Sequence, residues 1–252
     1  MILRPALLLS VLLPLAACKP QPEAPVEPAT PAVAATPSPA PATAVETAAE
    51  PAPAATPDVP VGPAPVVGID YVAIAGGKPF EASKGRIEVA EAFSYTCPHC
   101  AHFEELVREW RARQPADVKF TPVAAFFGIN PEPFARAFYA AEAMGVRVKT
   151  HEAMFRAIHV EQTIDPGKAT PASIAAFYGR FGVDPTQFAS AMTSARTDAQ
   201  LKHAAQFVEQ TGVEGSPSII VDGKYRVTGK TMEDMLRITT HLLAKERAAR
   251  GG

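Results

Sequence analysis

Cysteine is scarce in this 252-residue chain, which has three, so sulfur chemistry is confined to one close pair and one remote residue. An excess of charge of one sign is missing too: 24 Lys and Arg stand against 26 Asp and Glu, a formal net charge of −2, and no basic excess points to nucleic acid. The apolar run near the start, Ala6 to Leu15, falls short of the ~20 residues that a membrane-spanning helix needs. Aromatic residues are absent from Lys19 to Val66, which excludes a packed core there. The hydrophobic share of the whole chain, 47%, still allows one real core beyond Val66.

The close pair is Cys97-Pro98-His99-Cys100. Before it, Ile87 to Tyr95 is rich in β-branched and aromatic residues and reads as a strand. After it, Phe103, Leu106, Val107 and Trp110 recur at helical steps, which leaves Glu104, Glu105, Arg108 and Arg111 for the wet face. Cys97 therefore falls at a helix start, where unpaired N–H groups and the helix dipole favour a thiolate over a thiol. Pro98 suits the first helical position. The spacing predicts Cys97 as nucleophile and Cys100, one turn in, as the resolving thiol that closes a reversible disulfide. The competing reading is half of a zinc site with His99 or His102. Zinc wants four ligands, and His151, His159, His203 and His241 are scattered singly, as surface or cap residues would be.

Residues 1–17 have the pattern of an export signal: Arg4, the run Ala6 to Leu15, then Ala16 and Ala17 before Cys18. Leu15-Ala16-Ala17-Cys18 resembles a bacterial lipobox, which implies cleavage before Cys18 and lipid on its sulfur, with the inner or outer membrane left open. Residues 18–66 then form a Pro/Ala-rich tether. At about 3.1 Å per residue it reaches on the order of 150 Å when extended.

Folded pattern starts near Val67. Asp70 to Ile74 alternates as a first strand, Ile87 to Tyr95 is a second and Asp117 to Val123 a third, parallel to the second across the helix that carries the cysteines. From 129 to 210 the period is helical throughout. Phe134, Phe138, Ala141 and Met144 mark one helix, and Met154, Phe155 and Ile158 another. Thr170-Pro171 and Asp184-Pro185 each cap one more, and a last one runs from about Thr197 to Gln210. Strands return at Pro217 to Val221 and Lys224 to Val227 around Asp222-Gly223, a type I′ hairpin signal. Thr231 and Asp234 open a final helix at capping-box spacing. The order is that of an α/β domain, residues 67–128 and 211–250, interrupted by an all-helical one.

Two stretches at opposite ends of that domain carry a family resemblance. Glu91-Ala-Phe-Ser-Tyr-Thr-Cys-Pro-His-Cys100 followed by Phe103-Glu104-Glu105, and Gly212-Val-Glu-Gly-Ser-Pro-Ser-Ile-Ile-Val-Asp-Gly-Lys-Tyr225, resemble the DsbA family of periplasmic thiol:disulfide oxidoreductases. The resemblance implies a thioredoxin fold, with Cys97 the attacking cysteine and Cys100 the buried one. It implies a cis-proline at Pro217 that helps to bind substrate together with Ser216, and a buried acid at Glu91 that relays the proton of Cys100. His99 is expected to steady the Cys97 thiolate. The implied activity is donation of the Cys97–Cys100 disulfide to unfolded exported proteins through a mixed disulfide at Cys97. No cofactor or metal is expected. The expected partners are thiol-bearing substrates, the membrane through the Cys18 lipid and a quinone-linked, DsbB-like oxidase, with the enzyme itself a monomer. The alternatives are a reductase or isomerase, and a lipid-anchored peptide-binding module whose thiols are incidental or bind metal.

Overall fold

The computed structural model describes residues 59–251, so the expected export signal, Cys18 and the expected tether up to residue 58 lie outside the described residues. Within them the sheet is built from β1 (Tyr71–Ala73), β2 (Ile87–Phe93), β3 (Val118–Ala124), β4 (Ser218–Val221) and β5 (Tyr225–Val227). Their order across the sheet is β1-β5-β4-β2-β3. Only β2 and β3 run parallel, joined by helix α1 (Pro98–Ala112), and the other pairs are antiparallel. Between β3 and β4 the chain makes five helices: α2 (Pro131–Ala143), α3 (Arg147–His159), α4 (Pro171–Gly179), α5 (Pro185–Met192) and α6 (Ala195–Gln210). Helix α7 (Met232–Ala249) follows the hairpin. This is a thioredoxin fold with a helical insertion. None of the described helices is long and apolar enough to cross a membrane.

Strand β2 is buried at every position, because both of its faces are covered. Alternation sends Ile87 and Val89 into one cluster with Phe103, Val107 and Trp110 of α1 and Ile238, Leu242 and Leu243 of α7. Ala90 and Ala92 face the other cluster, shared with Phe134 and Phe138 of α2 and the rest of the insertion. Strand β4 divides likewise, with Ile219 and Val221 in the first cluster and Ile220 in the second. Pro122 lies opposite Glu91 on β3, which pairs with β2 alone, so its missing N–H falls on an edge strand.

Cap chemistry sets most helix starts. Thr170 and Ser173 close a reciprocal capping box on α4, and Asp184 accepts from Gln187 N on α5. Thr231 accepts from Asp234 N, but the Asp234 carboxylate accepts from Lys230 N instead of closing the box on Thr231. Helix α6 begins at Ala195, ahead of the expected Thr197, because Ser194 caps it. Asp222 and Gly223 have φ of 51° and 67°, the pair of positive angles that a type I′ turn requires. Ahead of β1, Arg237 of α7 donates to the Pro63 carbonyl and His241 to that of Val61 (3.1 Å), so the chain lies against α7 before the first strand.

Candidate active site

Cys97 is the N-cap of α1, with φ −90° and ψ 117°, and its carbonyl accepts from Cys100 N (3.1 Å) and Ala101 N (3.2 Å). Strand β2 delivers it through Ser94, Tyr95 and Thr96, all buried. Thr96 Oγ1 donates to the Phe127 carbonyl (3.2 Å), and Gly128 packs so closely that a Cβ there would lie 2.7 Å from Thr96 Oγ1. The loop after β3 is thereby held beside the cysteines, and it exposes Phe126 and Ile129.

Both thiols are free, with Cys97 9% exposed and Cys100 fully buried. The Ser216–Pro217 bond is cis and brings the Ser216 carbonyl to 3.3 Å from Cys97 Sγ, which donates to it as a thiol. The Cys97 pKa is lowered to about 5. Its largest cause is the hydrogen bond from the Cys100 thiol, opposed by burial and reinforced by the Ser216 hydroxyl, as distinct from its carbonyl, and by the N–H groups of Cys100 and His99. Burial drives the Cys100 thiol far in the opposite direction, helped by its bond to Cys97 and by the nearby Glu91 charge. His99 meets the cysteines through its main chain, while its side chain is exposed.

Glu91 is 2% exposed, on the β2 face that looks toward α1. Burial holds its carboxyl well above the usual carboxylate range, the charges of Glu104 and Cys97 push the same way, and Arg111 opposes them. Two residues depart from the expected placement. Glu104 is buried instead of wet, and so is His151, because the insertion packs α3 over the exposed flank of α1. A period read from α1 alone does not contain the helix that later covers it. His159, His203 and His241 instead each bond a backbone carbonyl, of Tyr95 (2.7 Å), Phe80 (2.8 Å) and Val61 (3.1 Å) respectively.

An interior strand that ends in a CxxC helix start, facing a cis-proline loop, is the architecture that comparison with known proteins also finds. Residues 82–239 match the model of a family described as Thioredoxin. The thiol:disulfide interchange protein DsbA of Pseudomonas aeruginosa is 36% identical over 185 residues, which cover 72% of this chain and 86% of that protein. The chain belongs to the DsbA family of periplasmic thiol:disulfide oxidoreductases. DsbA of Azotobacter vinelandii is likewise 36% identical, over 188 residues that cover 73% of this chain and 85% of that protein. The crystal structure of the oxidoreductase DsbA from Xylella fastidiosa, 44% identical, superimposes with a TM-score of 0.71 over 73% of this chain and 98% of its own. The family-model match thus takes in β2 to β5, the cysteine helix and the helical insertion together.

Proposed function

We propose that this protein-disulfide oxidoreductase works as a dithiol oxidase, and that the asymmetry between Cys97 and Cys100 drives it. A substrate thiolate attacks Cys97 Sγ of the enzyme disulfide, the Cys97–Cys100 bond breaks, and Cys100 leaves as a thiolate. Its raised pKa requires a proton at once, and Glu91, whose protonated form burial favours and whose charge would act on Cys100, supplies it. The second substrate thiol, once deprotonated, attacks the substrate sulfur of the mixed disulfide and expels Cys97 as a thiolate. Two substrate thiols become one disulfide and the enzyme takes two electrons; of the two protons the substrate thiols lose, one restores Glu91, so that the reduced enzyme holds one more proton, on Cys100, and the other is released. Regenerating the enzyme disulfide takes a two-electron oxidant, for which we propose a quinone-linked membrane partner of the DsbB type.

Support for this direction is the Cys97 pKa of about 5. Stabilising the thiolate stabilises the reduced enzyme, so the oxidised enzyme gives up its disulfide readily. Ser216 and Pro217 line the approach to Cys97, and exposed Phe126 and Ile129 suit the apolar segments that unfolded exported proteins present. Equilibration with glutathione tests the reading. We expect a potential well above the roughly −270 mV of thioredoxin, with transfer abolished in Cys97→Ser and substrate adducts accumulating in Cys100→Ser. A potential at or below the thioredoxin value sinks it.

We further propose that residues 1–17 direct export and that Cys18 carries lipid, with the Pro/Ala-rich segment as a tether between membrane and enzyme. The lipobox-like Leu15-Ala16-Ala17-Cys18 at the end of an apolar run supports this.

A further inference from the structure

The loop that follows β3 is joined to the attacking cysteine through one side chain. Residues 125–131, Ala-Phe-Phe-Gly-Ile-Asn-Pro, carry no charge, and two of them, Phe126 and Ile129, are 45% and 67% exposed. Backbone bonding holds the start of the loop, where Ala125 N donates to the Phe93 carbonyl (2.8 Å) as the β2–β3 pairing ends. Asn130 holds its end: Nδ2 donates to the carbonyls of Pro166 (3.1 Å) and Ala169 (3.2 Å) in the insertion. Between them Phe127 packs against the cluster that contains Cys97. The middle of the loop is left to Thr96, the residue before Cys97.

The Thr96 hydroxyl has one proton, and its neighbours set where it points. The Phe127 carbonyl, 3.2 Å away, can only accept, so the proton lies on that bond. Ser94 Oγ, 3.2 Å from Thr96 Oγ1, accepts from Thr96 N (3.3 Å) and is left to donate to Thr96 Oγ1. A one-way chain of hydrogen bonds thus runs from the end of β2 to the loop. Ser94 and Thr96 are buried, so water does not readily replace a lost bond. Gly128, with φ 92°, lets the two backbones approach, since a Cβ there would lie 2.7 Å from Thr96 Oγ1 and 3.4 Å from the Thr96 carbonyl oxygen.

We propose that Thr96 is a positioning residue for substrate choice: its hydroxyl fixes the loop so that Phe126 and Ile129 offer an uncharged surface to an apolar side chain next to the substrate cysteine. This deepens, and rests on, the disulfide-donating role of Cys97. The occupant is the substrate segment itself, because the mixed disulfide brings that chain to Cys97, whose preceding residue holds the loop. A loop already in place spares the ordering cost at binding, and so favours a matching side chain over one that makes no contact.

Two dithiol peptides, identical but for leucine or glycine beside the reacting cysteine, test this. The ratio of their kcat/KM values, read in whichever direction of exchange the potential favours, should prefer leucine in the wild type. It should fall about five-fold or more in Thr96→Val, which keeps the shape and loses the donor, and return in Thr96→Ser. Phe126→Ala, a change at an exposed side chain, should lower the ratio similarly, and the double variant should lose no more than either single one. A wild type indifferent to leucine, a folded Thr96→Val protein with the wild-type ratio, a Ser variant that behaves like Val, or a double loss equal to the product of the single ones overturns the proposal. If Thr96→Val does not fold, the unaltered protein decides. NMR should show the Thr96 hydroxyl proton slowed in exchange by its bond to Phe127, and a freely exchanging proton overturns the proposal by itself. Failure of the oxidase reading would show instead in the glutathione potential, which does not enter the peptide ratio.

Discussion

At the scale of single residues, Cys97 and Cys100 are the same side chain in opposite environments. Cys97 caps a helix and receives hydrogen bonds, whereas Cys100 is sealed in the core one turn later. Because the folded-state pKa of Cys97 is depressed to about 5, while an unfolded cysteine titrates near 8.5, its thiolate stabilises the reduced fold. That contribution is complete above about pH 8.5 and is lost as pH falls through about 5. Thermal unfolding of the reduced protein and of Cys97→Ser across this range checks it: the advantage of the reduced wild type should grow from pH 5 to 8.5 and vanish below. An advantage independent of pH would mean that Cys97 is an ordinary thiol. These two placements, a cap and a buried thiol one turn in, were legible in the spacing of the motif, since a helix start identifies itself locally. The burial of Glu104 was not, because it depends on a helix some forty residues further along the chain.

At the scale of elements, local chemistry fixes the turns and tertiary contacts fix how much they matter. The Asp222-Gly223 hairpin was readable as a dipeptide, but its setting was not. Asp222 is buried, paired with Lys224 (2.9 Å) and Arg250 (2.8 Å), and these neighbours hold its carboxyl below the usual range against burial. Lys224 also reaches buried Glu246 at 2.5 Å, so the hairpin is bolted to α7. Gly223 leaves no room on its other side: a Cβ there would lie 2.0 Å from the Lys78 carbonyl carbon and 2.6 Å from Pro79 N. Gly223→Ala therefore combines a positive φ with a backbone collision, and a loss of roughly 2 kcal/mol or more is expected. A denaturant midpoint that shifts by less than the equivalent of about 0.5 kcal/mol, the range of an ordinary surface change, would contradict it. Exact strand ends were less readable, since β2 stops at Phe93 where Ser94 and Thr96 turn to side-chain hydrogen bonds that no alternation pattern encodes.

For the whole molecule, the sheet separates two cores, and the redox centre sits where they meet, with Cys97 and Cys100 in the insertion-side cluster and Phe103 of the same helix in the other. That arrangement lets α3 reach Tyr95 and Glu104, which flank the cysteines, while Phe126 on the loop after β3 stays exposed. The order of elements pointed to an α/β domain with a helical insertion, but the single core expected from composition is two, because the helical run between β3 and β4 packs on the cluster opposite the one that α1 and α7 share. Beyond the described residues, the proposed anchor has consequences separate from the chemistry. A lipid on Cys18 would hold the enzyme at a membrane, while the long proline-rich segment would leave the potential of the remote cysteine pair untouched. Globomycin, which blocks lipoprotein processing, should therefore leave a larger exported form, and Cys18→Ser should move the protein from the membrane to the soluble fraction with the same glutathione potential as the wild type. An exported protein whose size ignores globomycin would remove the anchor from this account, and a Cys18→Ser protein with an altered potential would show that the tether and the active site are coupled after all.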